Sequence, residues 1–469
     1  MNTSSLSLGH DRMAALETAF EILRESWEGF DSARPGQPPT SANSLSVLSQ
    51  EVPSDGIGAI AALREAEVFL DESLAQSRPR FFGYVGSSGL EVGVLAEALS
   101  ASHDVNMASV AATATIVEQQ TIQWVSEFVG FGPTHGVITS GGMLSNLTAL
   151  AVAREQAQPG TRQSGSDGRG TLYISAEAHS SIDRSAELLG LGSNAVRAIP
   201  IDENRRMDVG ALEEQIQADI ANGFVPVAVV ATAGTTLTGA VDPIRAISDV
   251  CQRHGVWLHV DGAYGLPAAA TDSAGALFDG IDLADSATID AHKWLFVPKA
   301  CGVLLMRNNE ALLATFGHAA SYMVDVEENP VDRTLEYSRP FRSLKLWVAF
   351  RAHGADAIRA ALEDNVQLAR RLAEMVAETP NLELVVEPQL SIVPFRRFPQ
   401  KGSVDQHNSA IAKQMQLDGD AYITSAIVDG KTVLRPCFTN FRTTFDDVVE
   451  LLAIVEKTGS MLESQERMN

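Results

Sequence analysis

The stretch Ser286-Ala-Thr-Ile-Asp-Ala-His-Lys-Trp294 decides how the rest of the chain is read. It is an apolar, β-prone run that stops at a lysine flanked by histidine and tryptophan. A lysine at the end of a buried strand is costly, because its charge must be paired, solvated or given up. The placement makes sense if the amine becomes neutral and nucleophilic, since it can then form an imine with a carbonyl. Alone, His-Lys-Trp is a weak signal.

A run upstream changes the odds. Val256-Trp-Leu-His-Val-Asp-Gly-Ala-Tyr264 carries apolar residues into Asp261, followed by small residues. A carboxylate, small residues that admit a flat ring and a lysine further along are what pyridoxal 5'-phosphate requires. The carboxylate keeps the pyridine nitrogen protonated and the lysine holds the aldehyde.

Around these two runs, helical segments alternate with short β-branched ones from Gly89 to about Gly302. Gly136-Val-Ile-Thr139, Thr171-Leu-Tyr-Ile-Ser175 and Val225-Pro-Val-Ala-Val-Val-Ala-Thr232 are examples. Continuous apolar strands separated by helices predict an α/β fold with a mainly parallel central sheet covered on both faces. At the N-terminus Met13, Leu16, Phe20, Leu23 and Trp27 fall at helical spacing, an amphipathic helix over 11–30. Residues 31–56 are rich in Ser, Pro and Gly and read as a linker or extended arm. After Leu344 a long helical region, three short strands near 382, 391 and 432, and a final helix from Thr444 predict a smaller C-terminal α/β domain. The expected division is an N-terminal arm at 1–88, a large domain at 89–346 and a small one at 347–469.

The chain has 469 residues, 45% of them apolar and 20% charged, as in an ordinary globular protein. Its net charge of −24 argues against nucleic acid and anionic membrane as partners. Cys251, Cys301 and Cys437 form no disulfide framework or metal pair, which fits a reducing cytoplasm. The first ten residues lack the basic start and apolar core of a signal peptide. No apolar stretch reaches about 18 residues, so no membrane span is expected.

Thr139-Ser-Gly-Gly-Met-Leu-Ser-Asn146 is a glycine-rich turn between a strand and a helix, where backbone N–H groups and the helix dipole suit a phosphate. It lacks the Gly-Lys-Ser/Thr of a nucleotide loop. His179 and Thr232 each follow or end a strand, and either one alone reads as structural. His259 and Asp261 share a strand face, yet no third ligand spacing supports a metal. Together the elements form a series of strand ends: glycine turn, histidine, threonine, aspartate, lysine. In open α/β sheets ligands gather at such ends.

With these residues in place, the sequence resembles the group II pyridoxal-phosphate decarboxylases, which act on aromatic amino acids, histidine, glutamate and related acids. The matching motifs run in family order from about residue 78 to 446. They are Arg78-Pro-Arg-Phe-Phe-Gly-Tyr84, Ser140-Gly-Gly-Met-Leu-Ser-Asn-Leu147, Ala178-His-Ser-Ser-Ile-Asp183 and Ala231-Thr-Ala-Gly-Thr-Thr236. His259-Val-Asp-Gly-Ala-Tyr264, Asp290-Ala-His-Lys-Trp294, Arg342-Ser-Leu-Lys-Leu-Trp347 and Leu434-Arg-Pro-Cys-Phe-Thr-Asn-Phe-Arg442 complete the series. The resemblance implies fold type I, the aspartate aminotransferase-like architecture, and a homodimer with active sites at the subunit interface, clasped by the N-terminal arm.

Residue by residue, the resemblance implies that Lys293 holds the cofactor aldehyde, Asp261 the ring nitrogen, and that His179 stacks on the ring. It implies that Thr232 and Ala263 line the ring, that His292 lies near the phosphate, and that Gly141, Gly142 and Met143 form the phosphate loop. Met143 stands where relatives often carry Ser or Thr, which leaves only its backbone N–H. Asp290 replaces an asparagine of aromatic decarboxylases, and its role stays open. Tyr322 falls where aromatic-type relatives carry a loop tyrosine that protonates the substrate carbon. Phe81, Phe82, Tyr84 and Ser87 resemble a substrate pocket segment, and Ser338 a specificity position.

The expected activity is α-decarboxylation of an L-amino acid to the amine and CO₂, an aromatic or heteroaromatic substrate being favoured. Decarboxylation of an acidic or diamino acid (glutamate, aspartate or diaminobutyrate) is an alternative, because the phosphate loop looks more like those enzymes. An oxidative aldehyde synthase of the same family, an aminotransferase or C–S lyase on the same fold, and a non-catalytic scaffold are the other readings. Tyr322 and His179 together favour plain decarboxylation.

Overall fold

Seven apolar, mostly β-branched runs pair into one sheet: β1 (His135–Thr139), β2 (Gly170–Ser175), β3 (Val196–Ile199), β4 (Val225–Thr232), β5 (Trp257–Asp261), β6 (Ser286–Asp290) and β7 (Gly302–Met306). The computed structural model describes residues 6–30, 36, 39–317 and 329–468, with side chains to 465. The strand order is β1-β7-β6-β5-β4-β2-β3. Pairs β3–β2, β2–β4, β4–β5 and β5–β6 are parallel, and β7 runs antiparallel to both β6 and β1. The sheet is therefore mainly parallel, as the alternation predicts.

Residues of β2, β6 and β7 are buried at every position, the mark of strands covered on both faces. The pleat sorts the side chains between two cores. On β4, Val229 and Ala231 join Leu212, Ile216, Ile244 and Ile247 from helices Val209–Ala221 and Ile244–His254. Ala228 and Val230 face the other way, toward Leu150 and Ala153 of helix Gly142–Ala157. On β5 Leu258 and Val260 belong to the first core. Trp257, His259 and Asp261, at the alternating positions, therefore face the second.

A second sheet, order β10-β11-β9-β8, is built from β8 (Leu382–Leu384), β9 (Phe395–Arg397), β10 (Ser425–Val428) and β11 (Lys431–Leu434), all antiparallel. Helices Val404–Asp418 and Phe445–Met468 cover it, and Ile411, Met415, Leu451 and Val455 share a separate core with Phe395. Helix Ser343–Glu378 joins the two sheets, Leu346 and Ala349 packing in the first core of the large sheet and Leu372 and Val376 in the core of the smaller sheet. The residue pair 346/347, expected as a boundary, lies inside this helix. At Gly354 the helix breaks (φ 79°), a backbone conformation that glycine alone adopts without strain.

The amphipathic N-terminal helix is Arg12–Gly29. Within the expected linker the chain instead forms a short helix, Ala42–Leu48, because Ser41 caps it by accepting the Ser44 N–H at 3.1 Å. Strands β3, β7 and β10 were not anticipated. β3 and β10 are short and partly exposed, without a clear apolar run. β7 lies just beyond the lysine motif, where the alternation was read as ending. No helix among the described residues is long and apolar enough to cross a membrane.

Candidate active site

The C-terminal ends of β1, β4, β5 and β6 lie at one edge of the large sheet, and their residues converge on a single cleft. Gly142, Met143, Asn146, His179, Ser181, Thr232, Thr236, Asp261, Ala263, Asp290 and Lys293 are among the residues that line it. The sequence series of strand ends is thus one site in space.

Lys293 sits on the short helix Ala291–Trp294 that follows β6. Its Nζ lies 2.9 Å from Asp290 Oδ2, and Asp290 is itself almost fully buried. That pairing supplies the contact the sequence left open for Asp290. The helix is anchored by Trp294, whose ring stacks on Tyr264 (centroids 5.1 Å apart) and whose Nε1 donates to Asn365 Oδ1 at 3.0 Å.

Asp261 ends β5 with both oxygens held. Oδ1 accepts the Ala263 N–H at 3.2 Å and Oδ2 accepts from Asn146 Nδ2 at 3.0 Å. Thr232 ends β4. Its backbone is fixed by Asp242, which accepts the Thr232 N–H at 2.7 Å, and its hydroxyl is buried without a partner. Burial raises the Asp242 carboxyl to about 7. His179 is exposed on the loop after β2; its Nδ1 accepts the Ser181 N–H at 3.2 Å, so in the neutral ring Nε2 carries the proton.

The glycine turn brings Gly141 and Gly142 to the start of helix Gly142–Ala157, whose first-turn N–H groups have no partners within the helix. The turn needs its glycines for space. A Cβ on Gly142 would lie 2.9 Å from Asp290 Oδ2 and 3.0 Å from Ala263 Cβ, and one on Gly141 3.3 Å from His292. His292 is held against Cys301, its Nδ1 3.0 Å from the Cys301 carbonyl oxygen, and burial lowers its pKa. An unpartnered buried hydroxyl, a glycine cradle at a helix N-terminus, a lysine and an anchored carboxylate around one cleft suit pyridoxal phosphate.

The expected substrate residues distribute differently. Phe82 is fully buried in the core of the smaller sheet, edge-on to Phe438 at 5.4 Å, so its side chain is a core contact and lines no cleft. Phe81 is buried and stacks on Tyr422 at 4.8 Å. Tyr84 is half-exposed with its hydroxyl 3.3 Å from that of Tyr422. Ser87 is buried. None of the four is among the cleft-lining residues. Arg435 links this aromatic group to the cleft by donating to the Tyr84 carbonyl at 3.2 Å and to that of Thr236. Ser338 lines a separate cavity of about 400 Å³ with Asn106, whose Nδ2 lies 3.4 Å from its hydroxyl. Tyr322 lies outside the described residues. Sequence reasoning gave no role to Asn146, Ser181, Thr236 or Arg435, although all four stand within quoted motifs.

Residues 47–397 match the family profile described as "Pyridoxal-dependent decarboxylase conserved domain". An aromatic-L-amino-acid decarboxylase of Bacillus atrophaeus is 34% identical over 387 residues, 80% of each chain. An L-2,4-diaminobutyrate decarboxylase of Acinetobacter baumannii is 32% identical over 440 residues, covering 87% of this chain and 86% of its own. Among solved structures, mouse CSAD superimposes with a TM-score of 0.89 at 29% identity, over 95% of this chain and 98% of that one.

Proposed function

The chain belongs to the pyridoxal-dependent decarboxylase family, a pyridoxal-phosphate-dependent amino acid carboxy-lyase of fold type I, and from that premise we propose that its substrate is an aromatic or heteroaromatic L-amino acid. The observation that carries the site assignment is the presence of Lys293 and Asp261 on the walls of one cleft. The aromatic-L-amino-acid decarboxylase relative supports the substrate class. A diamino acid is the second reading, carried by the diaminobutyrate decarboxylase relative.

Pyridoxal phosphate, when bound, supplies an electron-withdrawing ring that takes up the electron pair left on the substrate carbon as CO₂ departs. The residues around it have separable tasks. The first-turn N–H groups at Gly142 and Met143 would hold the phosphate, with His292 beside the turn. Asp261 would keep a proton on the ring nitrogen, the free Thr232 hydroxyl would be available to the ring's polar edge, and His179 would cover the ring. Lys293 must give up a proton to become nucleophilic, and Asp290 Oδ2 at 2.9 Å is placed to receive it. Tyr322 is the proposed donor of the final proton to the substrate carbon.

The exposed apolar side chains of Met13, Leu16 and Phe20 on the N-terminal helix support its use as an arm clasping a second copy, in a cytoplasmic homodimer. Lys293→Ala tests the core assignment. It should bind the cofactor in a form that borohydride cannot fix to the protein, and should lose turnover by several decades. A near-wild-type rate would refute it. Measuring CO₂ from aromatic, acidic and diamino acids selects the substrate class.

A further inference from the structure

We infer that Trp257, Ser286, His259 and Asn146 form a one-way hydrogen-bond relay that orients the Asn146 amide and thereby positions Asp261. The inference rests on the reading of Asp261 as the partner of the cofactor's ring nitrogen. Trp257 Nε1 lies 2.9 Å from Ser286 Oγ, Ser286 Oγ 2.8 Å from His259 Nδ1, His259 Nε2 3.0 Å from Asn146 Oδ1, and Asn146 Nδ2 3.0 Å from Asp261 Oδ2.

The direction follows from the two ends. An indole N–H can only donate, and a carboxylate can only accept. Asn146 must therefore present its amide nitrogen to Asp261, which leaves its oxygen facing His259. His259 Nε2 must then carry a hydrogen. In the neutral ring Nδ1 is consequently an acceptor, filled by the Ser286 hydroxyl proton, while Ser286 Oγ receives the indole hydrogen. A protonated His259 would also satisfy the chain, but full burial lowers its pKa to about 4 and keeps it neutral. The second amide hydrogen of Asn146 goes to Ser181 Oγ at 3.1 Å. His259 Nε2 also lies 3.4 Å from Thr288 Oγ1, which can accept from the same hydrogen and leaves the direction of the chain unchanged.

The location argues that the relay is more than packing. Trp257, His259 and Asp261 alternate along one face of β5, and Ser286 is the β6 residue opposite His259. That face lies under helix Gly142–Ala157, where apolar residues fill the neighbouring positions on β4. Ser286, His259 and Asn146 are all essentially inaccessible to solvent. A buried polar chain in a sheet–helix interface stays stable only when fully satisfied, and once satisfied it is rigid. Its rigid end is the Asn146 N–H. With the Ala263 N–H on the other oxygen, this fixes the rotation of the Asp261 carboxylate.

These are positioning residues, and the test reads position directly. In full-length protein, with and without pyridoxal phosphate, ¹⁵N chemical shifts of His259 should report a single neutral tautomer protonated at Nε2 between pH 6 and 8. Ser286→Ala removes the donor to Nδ1 and should shift the Nδ1 resonance while Nε2, facing Asn146 Oδ1, stays protonated, and Ser286→Thr should restore the wild-type shift. Asn146→Leu should weaken cofactor binding about tenfold, the loss expected for one hydrogen bond to a charged group, and shift the absorbance maximum of the bound cofactor. A wild-type His259 protonated at Nδ1, or shifts unchanged in Ser286→Ala, overturns the relay. If Asp261→Asn alters affinity and absorbance while Asn146→Leu alters neither, the positioning role fails and the Asp261 assignment stands. If neither variant alters them, the Asp261 assignment itself fails.

Discussion

Removing one partner of the buried pair Arg339–Glu118 should destabilise the protein far more than removing both. The Arg339 side chain is 1% exposed and that of Glu118 7%. The guanidinium meets the carboxylate twice, Nη1 to Oε2 at 2.8 Å and Nη2 to Oε1 at 2.5 Å. Ser343 Oγ adds a contact to Oε2 at 3.3 Å. Arg339→Met deletes both charged bonds and leaves a buried carboxylate with one hydroxyl donor, a change that costs about 3–5 kcal/mol. For a chain this long the unfolding entropy is on the order of 1 kcal/mol per degree, so the melting midpoint should fall by about 3–5 °C. The double variant Arg339→Met/Glu118→Leu removes the stranded charge and should recover most of that loss. Scanning calorimetry of the wild type, both single variants and the double variant completes the cycle. Additive losses would show that the pair is solvated and would refute the argument. The Arg339 backbone accepts from Met107 N at 2.9 Å and donates to Asn106 Oδ1 at 3.3 Å, and so holds Ser338 beside Asn106.

Three further outcomes are expected. His259 stays neutral in the fold down to about pH 4, whereas in the unfolded chain it takes up a proton near 6.5. The unfolded state binds more protons in that window, so stability present above pH 6.5 is lost as pH falls toward 4, by up to about 3 kcal/mol; urea titrations of wild type and His259→Gln across the window should differ in slope. Thr232→Val removes a buried hydroxyl that has no partner, so it should stabilise the cofactor-free protein by about 1 kcal/mol while weakening cofactor binding, read by melting and by absorbance titration. Gly302→Ala places a Cβ 2.5 Å from Thr139 Oγ1 and 2.7 Å from Gly141 Cα. It should displace the glycine turn, cost about 2 kcal/mol or more and reduce phosphate-dependent retention of the cofactor, measured by dialysis.

Much of the candidate site is legible in the sequence, because strand ends announce themselves locally. The apolar runs into Thr232 and Asp261 end where their strands end, Lys293 follows on the short helix just after β6 ends at Asp290, and a mainly parallel sheet brings such ends to one edge. Phe82 illustrates the complementary limit. Phe81 and Phe82 are adjacent and chemically alike, yet one stacks on Tyr422 and the other enters the core of the smaller sheet. Adjacent residues in an extended segment point in opposite directions, and nothing within Arg78–Tyr84 says which direction meets the core. Strand β7 escaped notice because its five apolar residues carry no functional group.

Periodicity, composition and the ordered motifs determine the α/β class and the family and single out the lysine and aspartate proposed for the cofactor, since each is written in residues close together in the chain. Tertiary structure alone decided the joining of Asn146 to His259 and Asp261. Those contacts span 113 and 115 residues and exist only because helix Gly142–Ala157 packs across β5 in one register. A hydrogen bond requires its atoms within about 3 Å, and a linear pattern cannot specify that distance between segments packed by the shape of an entire core.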